Sequence, residues 1–136
     1  MKRAIALLLT CGTLTGCDSF FVRTVDLLPD RQVNGTYVPA DTARVKAAVR
    51  AFARELDMDC ADGQGNIIIE CRRQPISVWA VHQKNSVAVC FGAIGVPFET
   101  RKYRERMDQM QSILTQEFGK DVVRVLEGPC PRAEGA

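Results

Sequence analysis

The sequence lacks several features that mark large functional classes. Its 136 residues include one histidine and one tryptophan, and aromatic residues make up 7% of the chain. A single histidine argues against zinc sites built from several imidazoles. No apolar run reaches the roughly 18 to 20 residues that a helix needs to cross a hydrocarbon core. The rest of the composition, 46% hydrophobic and 25% charged, is that of one small globular domain.

The balance of charge excludes a general electrostatic attraction to nucleic acid. The formal net charge is +2, from 18 basic and 16 acidic residues. Lys2 and Arg3 lie in the leader described next, so the rest of the chain carries equal numbers of both signs. Because nucleic-acid binding usually relies on an excess of positive charge, we expect no nucleic-acid partner.

The first 16 residues have the three regions of a secretory signal peptide. Lys2 and Arg3 form a basic start, residues 4–9 are apolar, and residues 10–16 are small and polar. The apolar run is too short for a permanent membrane helix. Export also agrees with the six cysteines, which are more than a reducing cytosol usually favours.

The leader ends in Leu14-Thr15-Gly16-Cys17, which resembles the lipobox of bacterial lipoprotein precursors. The resemblance covers the leader only. It implies that Cys17 receives a diacylglycerol through a thioether, that the bond before it is cleaved, and that the new amino group is acylated, for example with palmitate. Two or three acyl chains anchor a protein stably in a membrane. The alternative is an ordinary signal peptide with Cys17 in a disulfide.

The same resemblance implies a location in the cell envelope, lipid-anchored and facing the periplasm. Asp18, directly after Cys17, resembles the aspartate that serves as an inner-membrane retention signal in enterobacterial lipoproteins. Ser19 is not a residue that strengthens the signal. The inner membrane is therefore favoured, and the outer membrane is the alternative.

We divide the chain into a signal peptide over residues 1–16, a lipidated tether over 17–40 and a single α+β domain over 41–136. The tether contains turn-forming proline and glycine and shows one possible short strand, over residues 36–38. Its residues Phe20, Phe21, Val22 and Val25 are too apolar for a simple linker. We expect them to pack on the domain, with contact to the bilayer as the alternative.

Periodicity predicts two helices and four strands in the domain. Apolar residues recur three and four positions apart after Asp41 and again after Thr100, as far as Gly119. The β-rich runs are residues 67–72, 76–82, 86–91 and 122–126. Short separations favour antiparallel hairpins. The prediction is a two-layer α+β sandwich of order α-β-β-β-α-β, with two helices on one face of a four-stranded, mainly antiparallel sheet.

Four cysteines remain for disulfides once Cys11 in the leader and Cys17 are set aside: Cys60, Cys71, Cys90 and Cys130. Turns centred near residues 74 and 84 would put both Cys71 and Cys90 opposite Ser77, on one face and two strands apart. Their Cα atoms would be about 10 Å apart, which is too far for a disulfide. Two pairings survive, and we favour Cys60–Cys71 with Cys90–Cys130 over Cys60–Cys90 with Cys71–Cys130, because the first loop is short.

No metal or cofactor site is expected. The chain has no Cys-x-x-Cys pair, His82 stands alone, and the acidic residues of the segment 57–63 do not match the spacing of a calcium loop. That segment is interpreted as a solvated loop after the first helix. Neither a phosphate-binding loop nor a Gly-x-Ser-x-Gly motif occurs. Trp79, in the middle strand, is expected in the core.

A basic cluster opens the second helix and comprises Arg101, Lys102, Arg104 and Arg106. Cations at this end oppose the helix macrodipole, so helix stability alone does not account for them. Because Glu105 and Asp108 alternate with them, a solvated helix face is the favoured interpretation. The functional alternative is contact with anionic lipid headgroups or with an acidic partner.

Together these features predict a non-enzymatic envelope lipoprotein whose disulfide-bonded domain docks a periplasmic protein partner. The alternative is a module that binds a soluble ligand or inhibits a hydrolase. An enzyme is the least favoured class, because the sequence contains no recognisable pair of nucleophile and base, no carboxylate pair and no cofactor cradle.

Overall fold

Eight strands and two helices are formed in the computed structural model, which describes residues 20–27, 31–33, 36–38, 41–83, 86–94, 101–126 and 130. The lipobox, Cys17 and Asp18 lie outside these residues. The elements are β1 (Phe20–Leu27), β2 (Arg31–Val33), β3 (Thr36–Val38), α1 (Thr42–Glu55), β4 (Asp59–Asp62), β5 (Ile67–Arg73), β6 (Ile76–His82), β7 (Val87–Ile94), α2 (Arg101–Phe118) and β8 (Val123–Leu126).

Six of the strands form one antiparallel sheet in the order β4-β5-β6-β7-β1-β8, and β2 pairs with β3 in a separate hairpin. Both helices pack on the same face of the sheet and share one core with it. They are antiparallel to each other, since Arg44 near the start of α1 forms an ion pair of 2.9 Å with Glu117 near the end of α2. Asp41 caps α1 by accepting a hydrogen bond from the Ala43 amide at 2.8 Å.

The predicted α+β class, with two helices over an antiparallel sheet, is confirmed, but the predicted number of strands is wrong. The sheet has six strands where four were expected, and the additional ones are β1 and β4. β1 lies inside the sheet, between β7 and β8, although residues 20–27 were assigned to the tether. β4 occupies an edge, where the sequence was interpreted as a loop. The short strand expected over residues 36–38 is β3.

The two missed strands have unusual burial patterns, and each escaped prediction for a different reason. In β1 the apolar Val25 and Leu27 alternate with Thr24 and Asp26, yet all four side chains are buried. In β4 all four residues are exposed, so the strand has no apolar side to recognise. The alternation in β1 is typical of a strand but covers only residues 24–27, and the four residues of β4 offer no apolar face at all.

The edge strand β4 is held to α1 by charge. The Asp62 carboxylate lies 3.2 Å from Lys46 Nζ and 2.8 Å from Arg50, both on α1. The hydrogen bond and charge of Lys46, followed by the charge of Arg50, lower the pKa of Asp62 below its ordinary value. The carboxylate therefore stays ionised, and the pairing persists, well into the acidic range.

The core lies between the helices and the sheet. Phe52 of α1 and Phe91 of β7 meet edge to face, with ring centroids 6.0 Å apart and planes at 75°. Leu27 at the end of β1 is fully buried in the same core. Strand β1 therefore contributes to the hydrophobic interior of the domain as well as to its backbone hydrogen bonds.

This position of β1 predicts that Leu27→Ala destabilises the domain by about 2 to 5 kcal/mol, the usual cost of truncating a buried leucine. The matched control is Val125→Ala, because Val125 is 45% exposed on β8. We expect that control to cost less than about 1 kcal/mol. Urea denaturation followed by the fluorescence of Trp79 measures both values. Equal stability of Leu27→Ala and the unsubstituted protein would contradict the burial of β1.

Candidate functional site at the basic end of the domain

The starts of β1 and α2 lie at the same end of the sheet. Arg23 in β1 forms an ion pair with Asp108 in α2. Three residues precede Arg23 in β1 and seven precede Asp108 in α2, and each stretch is about 10 Å long. The two elements run in the same direction, because β8, which follows α2, pairs its Val123 with Leu27 at the far end of β1. Phe20 and Arg101 are therefore level with each other.

The turn between β5 and β6 lies at this end too. Phe20 pairs with Ile94 of β7, and the neighbouring Ala93 pairs with Ile76, the first residue of β6. Ile76 in turn pairs with Arg73, the last residue of β5. We call this part of the molecule the basic end, and define it by Arg73 and the predicted cluster of Arg101, Lys102, Arg104 and Arg106.

A cleft of about 340 Å³ opens at the basic end, between the end of α1, the β5–β6 turn and the start of α2. Its lining includes the apolar side chains of Leu56, Met58 and Ile76 and the basic side chains of Arg73, Lys102 and Arg106. Glu55 is the one acidic residue among the described residues that line it. The cleft thus combines an apolar wall with three cations.

The cations of the basic end are partly engaged. Arg101 forms an i, i+4 ion pair of 2.8 Å with Glu105, and Arg106 donates to Gln109 at 2.9 Å. Arg73 donates to the Leu56 carbonyl at 2.6 Å and lies 3.6 Å from Asp57. Arg101, Lys102 and Arg104 are exposed to solvent. The predicted cluster is thus mostly on the surface. The fold adds Arg73 to it, because the β5–β6 hairpin places its turn at the same end as the start of α2.

Charge is distributed unevenly along α2. Residues 101–106 contain four basic residues and one acidic residue, whereas residues 107–118 contain two acidic residues and no basic one. This is opposite to the arrangement that a helix macrodipole favours. The distribution makes the basic end the positive pole of the helix.

The sheet has a second polar feature, on the face away from the helices. Val25 and Leu27 face the core, so Thr24 and Asp26 face the other way. The Asp26 carboxylate is 4% exposed and pairs with Arg124 of β8 at 3.0 Å. Asp26 Oδ1 and Thr24 Oγ1 have no hydrogen-bond partner among the residues that the structure describes. Neither residue is a candidate from the sequence, because both lie in the segment assigned to the tether.

The two other residues discussed from the sequence are distant from the basic end. β6 runs away from that end, from Ile76 to His82, so His82 lies at the opposite edge of the molecule. Trp79 faces away from the helices, beside Glu70 and opposite Cys90, and is half-buried. It therefore lies outside the helix-side core in which it was expected. Within the described ranges, no group of three potential metal ligands comes together.

Both disulfides favoured by the sequence are present. Cys60 bonds to Cys71 with a Cα separation of 4.0 Å, and Cys90 bonds to Cys130 with a Cα separation of 6.0 Å. The first joins the directly paired positions of β4 and β5. The second attaches residue 130 to the face of β7 that is turned away from the helices.

The hairpin register used to exclude a Cys71–Cys90 bond was wrong, although the exclusion itself holds. Cys71 pairs with Val78 and Cys90 with Trp79, whereas both cysteines were expected to align with Ser77. Each hairpin turn is centred up to one residue later than predicted. Since adjacent residues of a strand point to opposite faces, Cys71 lies on the helix side and Cys90 on the other.

No protein-family model, curated protein or solved structure matches the chain. Among the helices that the structure describes, none combines the length and the apolar character that a membrane span requires. The chemistry and placement of the residues are therefore the basis for assigning a function.

The disulfides predict unequal effects on stability. In the chain-entropy model, closing loops with separations of 11 and 40 residues contributes about 3 and about 4 kcal/mol respectively. We expect Cys90→Ala/Cys130→Ala to destabilise the domain more than Cys60→Ala/Cys71→Ala in denaturant titrations. Non-reducing peptide mapping of the unsubstituted protein checks the pairing, and Cys60–Cys90 with Cys71–Cys130 would refute it.

Proposed function

We propose that this chain is a non-enzymatic lipoprotein of the bacterial cell envelope, anchored through acyl chains on Cys17, whose domain docks a periplasmic protein partner. The lipobox-like Leu14-Thr15-Gly16-Cys17 supports the anchor. The two disulfides support an oxidising compartment such as the periplasm. Asp18 favours the inner membrane, with the outer membrane as the alternative.

The observation that carries the proposal is the short distance between the anchor and the folded domain. β1 begins at Phe20, three residues after Cys17. Three Cα–Cα steps span at most about 11 Å. A lipid on Cys17 would thus hold the sheet directly at the membrane. A long tether, by contrast, would let the domain move freely. The partner would then be a membrane protein or a protein held close to the bilayer.

A non-enzymatic role is supported by what the fold does with the reactive side chains. Cys60, Cys71, Cys90 and Cys130 are bonded in pairs and therefore provide no thiolate nucleophile. His82 lies at the opposite end from the cleft, too far away to act as a base for a group bound there. Docking uses exposed surface and needs no such constellation.

Lipidation is tested by the intact mass of the protein purified from membranes of its host. We expect a chain that begins at Cys17 and exceeds the polypeptide mass by a diacylglycerol and an acyl group. Cys17→Ala should block this processing, whereas Cys11→Ala, which removes the other leader cysteine, should leave it unchanged. A chain with an unmodified Cys17 would refute the anchor.

Docking at the membrane is tested by lengthening the anchor segment. A flexible Gly/Ser insertion of about 20 residues between Ser19 and Phe20 leaves the lipobox and β1 intact but lowers the effective concentration of the domain near a membrane partner. In crosslinking experiments in the native host, we expect the yield of the partner adduct to fall. The same insertion after Ala136 is the control and should not change the yield.

Two outcomes would contradict this function. Equal crosslinking of both insertion variants would show that the short anchor does not matter for docking. Loss of the cellular phenotype on His82→Ala, in a protein that still folds, would indicate a catalytic role for the single histidine.

A further inference from the structure

We propose that the basic end of the domain binds the phosphate headgroups of anionic phospholipids in the membrane that holds the acyl chains of Cys17. The proposal rests on the lipid anchor proposed above and adds a fixed orientation to it. The structure supports it by placing three features together: the start of β1, the basic start of α2, and the cleft whose lining includes Arg73.

Distance is the first argument. Phe20 is within about 11 Å of Cys17 along the chain, and Arg101 is level with Phe20. An acylated Cys17 lies at the level of the headgroups, so the basic end lies within about one screening length of them at physiological salt. The opposite end of α2 lies about 27 Å along the helix from Arg101. The short anchor therefore holds the basic end, and not the opposite end, close to the charge of the membrane.

Charge is the second argument. Arg101, Lys102 and Arg104 are exposed at a position where the helix macrodipole disfavours cations. Residues 101–106 contain four basic residues against the single acidic Glu105, which pairs with Arg101, so the start of α2 keeps a net positive charge that an anionic surface attracts. The remainder of α2 carries Asp108 and Glu117 and no cation. A helix with this distribution is oriented by an anionic surface, with its start towards the surface and its end away from it.

The shape and lining of the cleft are the third argument. Arg73, Lys102 and Arg106 can donate hydrogen bonds to a phosphate, and Leu56, Met58 and Ile76 offer an apolar wall to the glycerol and the first methylenes of the acyl chains. The Glu55 carboxylate in the same cleft accepts a hydrogen bond from Gln109. A volume of about 340 Å³ suits a headgroup but not whole acyl chains.

The chemistry of an acidic protein surface could also match these cations. The lipid is favoured because the anchor brings the basic end to the headgroups permanently, at a high effective concentration, whether or not a partner is bound. A protein partner has the rest of the domain to dock on.

The experiment uses the lipidated protein reconstituted in two kinds of vesicle, phosphatidylcholine alone and phosphatidylcholine with phosphatidylglycerol. A small amine-acylating reagent modifies exposed lysines, and peptide mass spectrometry gives the rate at each site. Lys102 and Lys120 are a matched pair, because both are exposed and they lie at opposite ends of α2. Each comparison therefore contains its own internal control.

We expect phosphatidylglycerol to slow the modification of Lys102 about fivefold, the factor that corresponds to about 1 kcal/mol per basic residue at an anionic surface. The rate at Lys120 should not change. The difference should vanish in molar salt, where the screening length is about 3 Å. Arg101→Glu/Arg104→Glu should abolish the protection of Lys102, whereas Lys120→Glu, a charge reversal at the far end, should preserve it.

The outcomes separate this inference from the proposed function. Equal modification of Lys102 in both kinds of vesicle, in a protein whose mass shows the acyl groups, would overturn headgroup binding and leave the anchor in place. Protection of Lys102 in native membranes but not in phosphatidylglycerol vesicles would overturn it in favour of an acidic protein. An unacylated chain that still binds phosphatidylglycerol vesicles and protects Lys102 would support headgroup binding and refute the anchor.

Discussion

The insertion of β1 between β7 and β8 is the constraint on which the rest of the structure depends. β8 pairs with β1 and with no other strand among the described residues, so without β1 it has no place in the sheet. The same strand supplies Val25 and Leu27 to the core and Asp26 to the ion pair with Arg124 of β8. Because β1 follows Cys17 so closely, it also determines which end of the molecule lies nearest the proposed anchor.

Much of this architecture could be predicted from periodicity. The two helices have apolar stripes with the helical repeat, and the strands β5, β6 and β7 are β-rich runs separated by short turns. The disulfide pairing was also found, since loop length favours Cys60–Cys71 and leaves Cys90 for Cys130. These features are encoded over short stretches of chain, where a single sequence is most informative.

The features that escaped prediction depend on contacts between distant parts of the chain. β1 shows the alternation of a strand only over residues 24–27, and β4 has no buried residue at all, so neither stands out as a strand in the sequence. The hairpin registers were wrong by small steps: the partner of Cys71 differs by one position, which exchanges the two faces of the strand, and the partner of Cys90 differs by two, which does not. Arg73 lies at the basic end because the β5–β6 turn places it there. Arg101 lies beside the start of β1 because of the way α2 packs on the sheet.

The place of β1 in the sheet has a consequence for how an exported chain would acquire its structure. Translocation delivers the N-terminus first, and β1 would emerge well before β7 and β8, its two neighbours in the sheet. The hairpins from β4 to β7 can form as these strands emerge, but the sheet is not complete until residues 123–126, which form β8, have crossed the membrane. Contacts over such long sequence separations form slowly in a free chain. An acyl anchor beside β1 would keep this strand near the membrane from which its last partner emerges, and so shorten the search.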